Sequence, residues 1–73
     1  MNERNRTMIN QTAHQVAQIE KLVIQQRLML DIFAAWETPG TQDFDVLNTA
    51  SNQIEAASKL LEDAVHTMRK VAP

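Results

Sequence analysis

Apolar positions along this chain fall into two helical patterns separated by a single break. From Leu47 the spacing alternates three and four residues through Leu47, Ala50, Ile54, Ala57, Leu61, Ala64, Met68 and Val71. That alternation is the a/d seam of a helix packed along a neighbour over four heptads. Three of its positions, Ala50, Ala57 and Ala64, are alanines seven residues apart. Alanine at every such step admits a closer neighbour than leucine would. The pattern predicts that Leu47, Ala50, Ile54, Ala57, Leu61, Ala64 and Met68 form the intrachain seam. The packing resembles the alanine-seamed pairs of some helical bundles, a likeness of style only.

The earlier half is greasier and less orderly. Eleven of the fifteen residues from Leu22 to Trp36 are apolar. Ile9, Val16, Val23 and Leu30 recur every seven residues, with Ile19, Phe33, Leu22, Met29 and Trp36 widening that face. Ile24, Leu28 and Ile32 run at steps of four along another side. Glu20, Arg27 and Asp31 separate the two stripes on one flank, and Gln18 and Gln25 on the other.

Between the patterns lies the only punctuation, ETPGTQD, at 37–43. Pro39 disfavours helical backbone at Thr38, and Gly40 supplies the left-handed residue that ends helices. Thr41 offers a capping oxygen, and Asp43 and Asp45 suit the positive end of a helix dipole. Arg69 and Lys70 suit the opposite end. The expected elements are a helix over about 4–37, a turn at 38–41 and a helix over about 42–71. The whole chain, 1–73, reads as one all-α domain. A connection this short folds two long helices back antiparallel, as a helical hairpin.

One second helix covers one side of the first. A surface helix ordinarily buries a stripe about 100° wide, and this one presents more. Leaving Ile24, Leu28 and Ile32 in water forgoes about 1.5–3 kcal/mol each. The surplus predicts a further chain, most economically a homodimer closing a four-helix bundle. The expected dimer or partner interface is Ile24, Leu28, Met29, Ile32 and Trp36.

Composition sharpens this picture by exclusion. Seventy-three residues make a marginal core, which small scaffolds reinforce with a disulfide, a metal or a second subunit. There is no cysteine and there are only two histidines, His14 and His66, so neither disulfides nor a histidine-only zinc site are expected. A fold about Gly40 would bring His14 near His66 and Glu20 near Lys59. No further ligands are evident there, and no cofactor is expected. Glu62 and Asp63 are neighbours whose side chains diverge on a helix. The lone glycine excludes a phosphate-cradling loop. An enzyme is not expected.

The polar start, MNERNRTMINQT, has no apolar signal core. The central apolar run is interrupted and falls short of the ~20 residues that a bilayer span requires. The cytoplasm is the expected compartment, with no membrane partner.

Net charge is −2, which argues against a general nucleic-acid binder. Arg4, Arg6, Arg69 and Lys70 nevertheless share one end of the hairpin and make a possible basic docking end. The leading expectation is a small regulatory or adaptor protein. It self-associates and binds a larger protein partner through a helical face, by steric inhibition or bridging. The alternatives are an RNA- or DNA-binding hairpin dimer using the basic end, and a structural subunit or small secretion-type chaperone. The nucleic-acid reading would resemble the plasmid-encoded RNA-binding hairpin dimers in architecture alone.

Overall fold

The computed structural model describes residues 1–71. Two helices are present, α1 at Glu3–Ala35 and α2 at Gln42–Val71, with no strand among the described residues. They pack against each other as an antiparallel hairpin measuring 55 × 14 × 12 Å.

Local chemistry explains the helix ends. Asn2 caps α1 by accepting a hydrogen bond from the Asn5 amide at 2.8 Å, relieving one of the unpaired donors of the first turn. At the other end the amides of Trp36 and Glu37 donate to the carbonyls of Phe33 and Ala34, both at 3.1 Å. These tight i→i−3 bonds close the last turn. They also explain why α1 stops at Ala35 and not at residue 37. Gly40 takes φ +87°, where a side chain is strained. Thr41 then caps α2: its Oγ1 accepts from the Phe44 amide at 3.3 Å and donates to the Thr38 carbonyl at 2.7 Å.

The seam is where the structure departs from expectation. On α1 it consists of two heptad columns, Ile9, Val16, Val23 and Leu30 beside Ala13, Glu20, Arg27 and Ala34. On α2 it consists of Leu47, Ile54, Leu61 and Met68 beside Phe44, Ser51, Ser58 and Val65. The first α2 column was expected. The second replaces the alanines: Ala57 and Ala64 are exposed and Ala50 is half-buried, whereas Ser51, Ser58 and Val65 are buried. Both sets satisfy the same three–four alternation and share one column. The neighbour decides between them. Arg27 of α1 reaches over the seam to Glu55, and Ser51 and Ser58 are the small residues one turn to either side of that contact.

The register differs slightly from a fold about Gly40. Arg27 meets Glu55 and Asp31 meets Ser51, so facing residues have numbers that sum to 82, where 80 was expected. Residues 3–10 of α1 therefore extend past the described end of α2.

The interior is thin. Among the described residues the buried apolar ones are Ala13, Ala34 and Val65, and no large side chain is wholly enclosed. The radius of gyration is 16.7 Å, against about 11 Å for a compact chain of this length. No helix among the described residues is long and apolar enough to cross a membrane.

Candidate interaction surface

At the centre of the seam sits a polar cluster. Arg27 Nη1 lies 3.5 Å from Glu55 Oε1, and Arg27 Nε lies 3.8 Å from Asp31 Oδ2, with about a third of the arginine side chain still exposed. The Nε is enclosed and finds no hydrogen-bond acceptor. Ser51 donates its hydroxyl to Asp31, across the two helices. Ser58 turns its hydroxyl back onto the Glu55 carbonyl at 2.8 Å. Arg27 and Asp31 are one turn apart on α1, and Ser51, Glu55 and Ser58 occupy successive turns of α2. Antiparallel pairing brings the two groups together. Half-exposed ion pairs add little stability, typically about 0–1 kcal/mol. Their geometry instead fixes which turn of α1 meets which turn of α2.

The cluster also orients the faces of the hairpin. At about 100° per residue, Asp31 on α1 and Glu55 on α2 lie to the same side of the seam. On that side α1 carries Ile24, Leu28 and Ile32, and α2 carries the exposed polar residues Asn48, Asn52, Lys59, Glu62 and His66. The opposite flanks of both helices therefore share the other face. There α1 presents Ile19, Leu22, Gln26, Met29, Phe33 and Trp36, and α2 presents Val46, Ala50, Gln53, Ala57, Leu60 and Ala64. Each series alternates three and four residues, so each is a second seam. This face is open. Leu60 is 70% exposed, Leu22 58%, Val46 58% and Ile19 50%. A shallow depression of about 350 Å³, lined by Gln42, Asp45, Val46, Thr49, Ala50 and Gln53, marks its α2 side near the loop.

The five expected interface residues are thus divided. Ile24, Leu28 and Ile32 form a narrow strip beside polar neighbours, with exposures of 38–50%. Met29 joins the open face. Trp36 stands at its edge, 76% exposed, with its ring 5.9 Å from that of Phe33. Leu22, Ile19, Val46 and Leu60 belong to the open face and were not singled out as interface. Their three–four spacing was the signal for them, and it lay in the sequence.

Comparison with protein-family models, with curated proteins and with solved structures finds no match for this chain.

The remaining candidates stay apart. Arg4 and Arg6 lie on the extension of α1, and Arg69 and Lys70 in the last turn of α2. All four are exposed at one end. In the observed register Arg4 lies about 13 Å further along the axis than Arg69, at 1.5 Å per residue. The basic end is therefore a spread of charge and not a compact patch. His14 and His66 are exposed, and His14 Nε2 lies 3.3 Å from Gln18 on its own helix, with no hydrogen bond to His66. No ion pair joins Glu20, half-buried in the seam, to exposed Lys59. Among the described residues no group of three or more His, Cys, Asp or Glu could hold a metal ion.

Proposed function

We propose that this protein is a small non-enzymatic interaction module that self-associates and docks a larger protein partner through a helical face. It acts by occupying a groove or bridging two surfaces, and it works in the cytoplasm. One observation supports the reading above all. Among the described residues the hairpin encloses no large apolar side chain, yet it exposes Ile19, Leu22, Leu60 and Trp36 on one face and Leu28 and Ile32 on another. Monomeric soluble proteins rarely display contiguous apolar surface of that kind without a partner.

Two surfaces divide the work in this reading. The open face serves self-association. The strip Ile24, Leu28, Ile32 remains available beside Lys59 and Glu62, and suits the apolar edge of an amphipathic helix in a larger protein. The test has two arms. Wild-type protein and Leu28→Glu are sized by light scattering, then both are used to recover a partner from the source cell. The reading expects equal mass for the two, with a partner recovered by wild type and lost by Leu28→Glu. Recovery of no partner, or of the same partner by both, would overturn the docking half.

The nucleic-acid alternative draws on Arg4, Arg6, Arg69 and Lys70. Phosphate binding weakens steeply with salt. The expected result is no retardation of RNA or DNA by the protein at low salt. Salt-sensitive retardation abolished by Arg69→Glu together with Lys70→Glu would favour the alternative.

A further inference from the structure

We infer that the open face is covered by a second copy of this chain, packed head to tail about a two-fold axis passing beside Gln26 and Ala57. The inference deepens the self-association reading by naming the face, the occupant and the arrangement.

Surface area argues for an occupant of this size. The protomer exposes 5639 Å², whereas a compact chain of 8.3 kDa exposes about 4,600 Å². The excess of about 1,000 Å² exceeds the ~800 Å² that each partner gives up in a standard stable interface. A rod 55 Å long and 14 Å wide loses that excess most directly against another rod.

The pattern of the face argues that the occupant is the chain itself. An isologous contact requires a surface that matches its own two-fold image. The α1 stripe has apolar residues symmetrically about Gln26, with Leu22 and Ile19 on one side and Met29 and Phe33 on the other. The α2 stripe is symmetric in spacing about Ala57, with Ala50 matched to Ala64 seven residues out and Gln53 placed opposite Leu60. In the observed register Gln26 and Ala57 stand at nearly the same height along the rod. A single axis therefore serves both helices. It sets Ile19 against Phe33 of the second copy, Ala50 against Ala64, and Ala57 against its own equivalent. The alanine heptad that the intrachain seam does not use thus finds its close neighbour between copies.

Charge selects head to tail over side by side. Glu37, Asp43 and Asp45 lie at the loop end, whereas Arg69 and Lys70 close α2 at the other, with Arg4, Arg6 and a single acid, Glu3, further out on α1. Loops at the same end would stack acid on acid and base on base. Opposed loops set each acidic end over a basic one, which favours encounter and suppresses the wrong arrangement.

The chain has no cysteine, so single cysteines report positions cleanly. Three exposed sites serve: Ala57→Cys at the axis, Asn52→Cys at similar height on the opposite face, and Thr38→Cys in the loop. Each is sized by sedimentation and then treated with a short bis-maleimide. The expected result is twice the monomer mass for all three and cross-linking of the bulk of Ala57→Cys alone. The Thr38 sites of a head-to-tail pair lie on the order of 40 Å apart, at 1.5 Å per residue. A dimer that cross-links through Thr38→Cys overturns the head-to-tail arrangement. One that cross-links through Asn52→Cys, or not at all through Ala57→Cys, overturns the face. A folded monomer at every concentration overturns self-association itself, and with it the underlying reading. A face covered by some other protein would give that last outcome.

Discussion

The seam between α1 and α2 and the open face are both built on apolar stripes, but only the seam has a polar cluster at its centre. Between α1 and α2 lie an arginine, two carboxylates and two serines. On the open face the same two helices show Ile19, Leu22, Phe33, Val46 and Leu60 to solvent. A self-sufficient two-layer domain would leave no second apolar face of this kind exposed. The contrast teaches that the two surfaces have different duties. The inner one sets register, because Arg27 finds Glu55 and Asp31 finds Ser51 only when the correct turns meet. The outer one leaves its apolar area in contact with solvent.

The sharpest way to break this contrast is to charge the outer surface. Leu22→Glu combined with Leu60→Glu is expected to remove about 3–6 kcal/mol of apolar burial from the associated protein. Circular dichroism at micromolar concentration should then show a large loss of helix. Unchanged mass and melting would mean that the face is idle. A smaller effect is expected from overfilling the inner surface. Ser51→Leu forces a large side chain between the helices beside Asp31, and overpacking of this kind costs about 1–3 kcal/mol. Thermal denaturation should register a lowered midpoint, whereas leucine at exposed Asn52, on the polar face, would crowd neither surface. Smallest is removal of the central charge. Arg27→Ala is expected to cost about 0–1 kcal/mol, because the pair is half-exposed. The loss should shrink as salt is added. A cost of several kcal/mol would show that the seam carries stability as well as register.

The sequence displayed the two helices and their ends plainly. Pro39, Gly40 and Thr41 act through backbone sterics and a local cap, which need no knowledge of the rest of the chain. The α2 seam was half legible. Leu47, Ile54, Leu61 and Met68 were found, but their companions were taken as Ala50, Ala57 and Ala64 because a count of apolar periodicity favours alanine over serine. Ser51 and Ser58 prevail because Arg27 lies opposite them, a fact about α1 that α2 does not contain. The same blindness merged two surfaces into one. Met29 and Trp36 fall on the wide apolar face and Leu28 and Ile32 on the second stripe, yet all four were assigned to one interface. Only the pairing of Arg27, Asp31 and Glu55 reveals on which side of the hairpin each falls.

The interior is thin: among the described residues nothing bulkier than Val65 is buried. If order is borrowed from a neighbour, it must obey mass action. Diluting the protein should then do to it what warming does to an ordinary domain. Its amide protons would exchange with solvent faster at every step down in concentration, along both helices together.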